Sequence, residues 1–241
     1  MTTHECGLEV TYCDECGAEL EEGQVGKCED CAEYTFDDLS DTTKETARDN
    51  FRGRDYPHDD WWDNVYEDAV RVAVILGIEI STSTVKLYGG STRQDPDISF
   101  SGFCSQGDGA SFEGSYSYEP EAIAKMEAYC NDEELIRIAK ELTLLQITRR
   151  LLSLDPFNAT IGQSGNYSHS GTMRVTLSYD EDENGETSYN DTLEDDVTQL
   201  FRDFADWIYR TLETEHDWLC ADEQVDYYLA DETFDVDGNT I

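Results

Sequence analysis

Cys13-x-x-Cys16 and Cys28-x-x-Cys31, separated by eleven residues, are two short knuckles able to aim four thiolates at one point. Four sulfurs at this spacing suit tetrahedral zinc, with Zn–S bonds of about 2.3 Å. A closed four-sulfur shell leaves no position for water, so the predicted ion is structural and not catalytic. Other chemistry-bearing residues are sparse. His58, His169 and His216 have acids or hydroxyls nearby in sequence, but no Gly-x-Ser-x-Gly elbow, His-Glu-x-x-His helix, P-loop or dinucleotide fingerprint accompanies them. Cys104, Cys130 and Cys220 read as small packed hydrophobes, and the glycines of residues 105–109 are explained by a tight turn. The chain is therefore expected not to be an enzyme. Asp235-x-Asp237-Gly238-Asn239 has the opening spacing of a calcium loop, without the bidentate Glu that such a loop carries at its twelfth position.

Charge narrows the choice of partner. Fifty-five Asp and Glu stand against sixteen Lys and Arg, a formal net charge of −39. Such a surface repels nucleic acid, whose binding depends on Lys and Arg neutralising phosphates, and it repels anionic membranes. Direct contact with either is not expected. A basic protein surface, by contrast, would be steered in over long range. Residues 1–35 alone hold ten acids and one base, Lys27, so phosphate binding by the cysteine-rich segment is disfavoured there too. Residues 1–12 carry no basic region followed by an apolar run, and no segment approaches the roughly 20 apolar residues of a spanning helix. The expected location is cytoplasmic. In that reducing setting, paired cysteines read as metal ligands and not as a disulfide framework.

The elements that must carry these residues follow from periodicity. Helices are predicted over 37–52, 59–76 and 121–129, over a longer stretch after Asn131 with Leu135, Ile138, Leu142, Leu145 and Leu152 on its face, over 191–219, and over 222–230. The 191–219 helix has an apolar face of Leu193, Val197, Leu200, Phe204, Ile208, Leu212 and Leu219. Asp195, Asp203, Asp206 and Glu213 fall elsewhere on its wheel. Strand patterns cover 78–87, 97–103, 110–118, 158–167 and 172–179. Pairs of strands with helices before, between and after them predict an α+β fold: helices on one face of a four- or five-stranded, mainly antiparallel sheet, plus a small N-terminal zinc module. The expected division is 1–35 for the zinc module and 36–241 for the acidic α+β domain.

The cysteine module over 11–33 resembles the zinc-ribbon family. Residues 36–234 resemble a family of phage and prophage proteins labelled as the antitoxin of a toxin–antitoxin stability system. That resemblance rests on Phe100-Ser101-Gly102-Phe103-Cys104-Ser105-Gln106-Gly107-Asp108-Gly109-Ala110-Ser111-Phe112-Glu113-Gly114-Ser115-Tyr116, on Ser168-His169-Ser170-Gly171 and on Asp203-Phe204-Ala205-Asp206-Trp207-Ile208-Tyr209-Arg210. It implies a mobile-element origin and no catalytic residues. Combined with the charge, it gives the expected function: an acidic inhibitor that mimics nucleic acid and covers the basic surface of a host defence protein, a nuclease or CRISPR effector. Its contacts are expected at Asp180, Glu181, Asp182, Glu183, Asp195, Asp203, Asp206 and Glu213. Two alternatives stand beside this reading: an antitoxin-like binder that neutralises a toxin by shape, and a halophilic housekeeping protein whose acids keep it dissolved in high salt.

Overall fold

A computed structural model describes residues 2–3, 9–21, 26–28, 32–54, 56–57, 60–87, 89–165, 167–178 and 191–241. Twelve strands are described: β1 Thr2–Thr3, β2 Glu9–Val10, β3 Tyr34–Thr35, β4 Ile78–Ile80, β5 Thr82–Lys86, β6 Thr92–Pro96, β7 Ile98–Phe100, β8 Ala110–Phe112, β9 Gly114–Tyr116, β10 Asn158–Gln163, β11 Met173–Ser178 and β12 Thr233–Phe234. Six helices accompany them: α1 Asp41–Arg52, α2 Asp63–Leu76, α3 Ala122–Tyr129, α4 Glu133–Leu151, α5 Asp191–Leu219 and α6 Asp222–Leu229. The fold is α+β with antiparallel pairing throughout, as the strand and helix patterns predict. The chain divides into two compact units, Met1–Trp61 with His216–Ile241, and Trp62–Glu215.

In the larger unit, the predicted strands over 78–87 and 110–118 each break at a single residue, Ser81 and Glu113, and β6, which apolar alternation does not mark, precedes the predicted strand over 97–103 and meets it at Asp97. Ser81 donates its N–H to Glu113, Asp97 donates to Ser81, and Glu113 donates to Asp97, at 2.9, 2.8 and 3.0 Å. This ring of three backbone bonds satisfies the groups that leave one ladder before joining another. It divides the region among three ladders: a four-stranded sheet of order β11-β10-β9-β4, a β5–β6 hairpin and a β7–β8 hairpin.

The four-stranded sheet has one apolar side. Ile78, Ile80, Tyr116, Ala159, Ile161, Met173, Val175 and Leu177 are buried, while Glu79, Ser115, Asn158, Thr160, Arg174, Thr176 and Ser178 face outward, the period-2 alternation of a sheet covered on one face. α5 helps cover it: Phe201 packs on Tyr116 at 5.5 Å between ring centroids, and Phe204 meets Phe112 edge-on at 5.4 Å. The predicted span of α5 agrees with the structure. α2 begins at Asp63, later than the predicted 59, after Asp60 in the left-handed region at φ 68°. It ends at Gly77, whose φ of 85° closes the helix and turns directly into β4.

α4 packs through Leu135, Ile138, Ala139 and Leu142, and through Gln146, which is 2% exposed. The Gln146 amide donates to the carbonyl of Phe157 at 2.8 Å and accepts from its N–H at 3.2 Å, completing the backbone of a residue with no exposure. The smaller unit is built on Phe36, Leu39, Ala47, Val225, Leu229 and Phe234. Ser40 caps α1 by accepting from the Thr43 N–H. β3 pairs with β12, and α1 is clamped to α6 by Arg48, which makes two parallel 2.7 Å bonds to Asp226. The Asp235 carboxylate accepts the N–H groups of Asp237 and Asn239 at 3.0 and 2.8 Å, so it shapes a turn.

Two substitutions test this packing. Gln146→Leu strands two buried backbone groups and is expected to lower unfolding free energy by about 3 kcal/mol, read by urea denaturation. Gly77→Ala places a Cβ 2.2 Å from the Ser117 carbonyl in a left-handed conformation. A loss of at least about 2 kcal/mol is expected in the same assay.

Candidate metal centre and acidic face

The first knuckle forms because residues 11–20 fold back on themselves. Leu20 donates to the Thr11 carbonyl at 2.9 Å, Cys13 donates to Ala18 at 2.7 Å, and Gly17 donates to Cys13 at 3.0 Å. Gly17 takes the left-handed position of the turn, at φ 72°. The second arm is fastened by the Asp14 N–H on Gly26 O at 2.9 Å and by the Cys28 N–H on Cys13 Sγ at 3.3 Å. Cys16 Sγ and Cys28 Sγ are 3.6 Å apart, and the three sulfurs of Cys13, Cys16 and Cys28 all lie within 4.8 Å of one another. A disulfide needs about 2.05 Å. Sulfurs sharing one tetrahedral metal at Zn–S distances of about 2.3 Å are separated by roughly 3.8 Å, so the observed spacing suits ligands of a common ion.

Electrostatics agree with that use. Cys13 is buried, yet its thiol is held down at about 6 by N–H groups of Cys16 and Cys28, which outweigh burial; the N–H of Glu15 and the Cys16 side chain lower it further. The thiolate is thus favoured at neutral pH, the form that ligates metals. Lys27 lies 2.7 Å from both Glu15 and Glu33, and those hydrogen bonds raise its pKa and lower that of Glu33. It pins the segment bearing Cys28 against both sides of the module. Three clustered cysteines can therefore hold a metal ion. Cys31 lies outside the described residues.

The candidate contact acids fall in different environments. Asp180, Glu181, Asp182 and Glu183 lie outside the described residues. Asp203 accepts from Arg137 at 2.6 Å and from Gln199 at 2.7 Å, so its charge is spent within the fold. Asp195 is exposed, Asp206 and Glu213 are half-buried, and among the described residues none of these three has an ion-pair partner. At about 100° per residue, Asp195, Asp206 and Glu213 stand within roughly 20° of one line along α5, whereas Asp203 is turned about 80° away.

The long string at 100–116 makes a structural knot. Asp108 accepts the N–H groups of Cys104 and Ser105 at 2.8 and 2.6 Å, Ser101 bonds to both Ser168 and Gly109, and Tyr209 donates to the Gly102 carbonyl at 3.1 Å. A Cβ on Gly109 would sit 2.9 Å from the His169 ring, so the 168–171 loop requires glycine there. Cys220 Sγ lies 3.7 Å from His216 Nε2. Burial pushes the Cys220 thiol up, with Arg52 opposing and Asp217 adding to it; this is the reverse of an activated nucleophile.

Sequence reasoning missed two features. One is a cleft of about 480 Å³ between α2 and the β5–β6 hairpin, where Arg93 joins Asp63 and Asp95 at 3.1 and 2.5 Å. The other is the outer face of α4. Leu152, placed by periodicity with the core, is 66% exposed, and Leu144, Ile147 and Leu151 are exposed beside it. The signal was present as leucines on every side of one helix.

Comparison with known families gives one match: a model described as Domain of unknown function (DUF8835) covers residues 61–222. The chain belongs to that family. No curated protein and no solved structure matches it. The resemblance to the phage antitoxin family is thereby corrected, since the strings at 100–116, 168–171 and 203–210 all lie inside the DUF8835 match. In the fold they are bonded and packed to one another. The cysteine module lies outside the match. No helix among the described residues is long and apolar enough to cross a membrane.

Replacing Cys16 or Cys28 by Ser is expected to abolish stoichiometric metal in the purified chain, measured by elemental analysis. Cys104→Ser should leave it unchanged.

Proposed function

We propose that the cysteine module holds a structural zinc ion, with Cys31 as fourth ligand beside Cys13, Cys16 and Cys28, and that the chain is a binding protein for a basic, nucleic-acid-handling partner in the cytoplasm. Sulfur ligands in a shell of four suit zinc, and such a centre supplies stability that a segment without its own core lacks. The partner reading is carried by one observation: Asp195, Asp206 and Glu213 align along α5, and none of them has an ion-pair partner among the described residues. Their separations along the axis are about 16 and 10 Å. A line of unneutralised carboxylates presents to a basic groove the charge that phosphates would. The narrower expectation of a host defence target loses its support with the antitoxin resemblance.

A second reading has an observation of its own. Exposed acids are spread over both units, from Asp14, Glu15 and Glu19 in the cysteine module to Glu127, Glu133 and Glu223 on the helices. A surface acidic all round suits a protein kept in solution by hydrated carboxylates at high salt.

Salt separates the two. Affinity capture with the wild-type chain and with the Asp195→Lys, Asp206→Lys, Glu213→Lys variant is to be run at about 0.15 and about 1 M salt, where the Debye length falls from roughly 8 to 3 Å. The partner-binding reading expects a nucleic-acid-handling protein on the wild type at the lower salt, lost at the higher salt and lost on the variant. Equal capture by both chains at both salts sinks it. Circular dichroism over the same range tests the other reading, which requires the fold to weaken as salt is withdrawn.

A further inference from the structure

The cleft beside α2 has two chambers, of about 480 and 680 Å³, both within the larger unit. Tyr66, Asp95 and Pro96 line both of them, and each chamber has the size of a small-molecule site. In the smaller chamber the charges are spent on one another: Arg93 meets Asp63 and Asp95, and Arg71 meets Glu67. The larger chamber is different. It is lined by three acids, Asp95, Asp97 and Glu113, and by no base. The carboxylates of Asp97 and Glu113 have no ion-pair or hydrogen-bond partner among the described residues. Aromatic rings wall the same space, with Trp62 and Phe100 meeting edge-on at 5.7 Å and Tyr66 beside them in the lining. Tyr66 is only 8% exposed, yet its hydroxyl has no hydrogen-bond partner among the described residues. A tyrosine this deeply buried usually finds one. Burial, with Asp63 adding to it, pushes the Tyr66 pKa up, so the group stays a neutral hydroxyl able to donate one hydrogen bond and accept another.

We propose that the larger chamber is a binding site for an alkylammonium ion, with Asp97 and Glu113 supplying the counter-charge, Tyr66 a hydrogen bond, and Trp62 and Phe100 a wall for the alkyl chain. The lining selects this chemistry. Three carboxylates with no base beside them repel an anion. A bare metal ion needs several ligand atoms drawn close together, and among the described residues only Cys13, Cys16 and Cys28 are grouped so tightly. A neutral apolar molecule leaves the carboxylates and the Tyr66 hydroxyl without partners. An ammonium group on an alkyl chain satisfies every part of the lining: its N–H groups bond to the carboxylates and to the Tyr66 oxygen, its charge suits the aromatic faces, and its methylenes cover apolar wall. The same head group arrives either on a free small amine or on the lysine of a basic protein. The site does not involve the acid line on α5, so it stands whether or not that line binds a partner.

Titration of the isotope-labelled full chain with pentylammonium chloride tests this, read by amide chemical shifts at neutral pH and about 0.5 M NaCl, which screens diffuse attraction to the charge of −39. The expected result is a saturable shift centred on the residues that line the chamber. Neutral 1-pentanol, of similar shape, is expected to bind at least about tenfold more weakly. Tyr66→Phe removes only the unpartnered hydroxyl, so it should weaken pentylammonium binding about fivefold and leave thermal unfolding unchanged. Asp97→Asn combined with Glu113→Gln should weaken it at least about tenfold. An equal loss of charge elsewhere, Glu133→Gln combined with Glu223→Gln, should leave it unchanged. Lysine blocked at both backbone ends separates the two sources: binding as tight as that of pentylammonium assigns the site to a protein side chain, and binding of pentylammonium alone assigns it to a free amine. Absence of a saturable shift at the chamber overturns the proposal, as does equal affinity for 1-pentanol or binding indifferent to the Asp97 and Glu113 substitutions.

Discussion

Repulsion among carboxylates is the constraint to which the rest of this structure responds. With 55 acids and 16 bases, each cation can offset only a fraction of the charge around it, so where the bases are placed matters more than how many there are. Eleven of the sixteen are arginines, and five of these stand where one segment is held to another. Arg48 joins α1 to Asp226 on α6, and Arg52 joins α1 to Asp222. Arg137 joins α4 to Asp203 on α5, Arg210 reaches from α5 to Glu134, and Arg93 ties the β5–β6 hairpin to Asp63 at the start of α2. Arginine suits this use because its planar fork meets a carboxylate with two parallel bonds while its stem packs on apolar surface. Arg48 does both, lying 5.6 Å above the Phe36 ring.

The cysteine module solves the same difficulty by other means. It has few large apolar side chains, and among its described residues only Cys13 and Leu20 are buried. Ten acids cannot be held in place there by one lysine. Three sulfurs drawn together by backbone turns can hold a metal ion, and where such a site forms only in the folded chain, the free energy of binding adds to that of folding. Lys27 then serves a local purpose, bridging Glu15 and Glu33 across the second arm.

What was legible in the sequence follows from the range of the forces involved. Metal-ligand spacing is local, so Cys13, Cys16 and Cys28 could be grouped without a fold. α5 was legible from end to end because its period of 3.6 persists over 29 residues, and charge falls on the face that the core does not need. The breaks at Ser81 and Glu113 were not, because alternation of period two passes through a bend unchanged and the bonds that replace the ladder come from distant residues; nor was β6, since Thr92, Arg93, Gln94, Asp95 and Pro96 carry no apolar alternation. α4 misled for a related reason: leucines surround it, so periodicity alone cannot say which row is buried. The long ion pairs were invisible as well. Asp203 and Asp206 look alike in sequence, and only the fold sets Asp203 against Arg137, while Asp206 has no ion-pair partner among the described residues.

The distribution of neutralised charge therefore says more about this protein than the total. Seams between elements are paired, the line of Asp195, Asp206 and Glu213 has no ion-pair partner among the described residues, and α4 has no acid from 142 onward. A uniformly acidic coat selected only for solubility gives no reason to keep a leucine stripe bare, since exposed apolar surface opposes solubility. Nor does attraction to a basic partner, which favours acid wherever contact is made. A line of acids without ion-pair partners among the described residues and an apolar stripe without acid are surfaces of opposite character, and the fold carries them on different helices, α5 and α4.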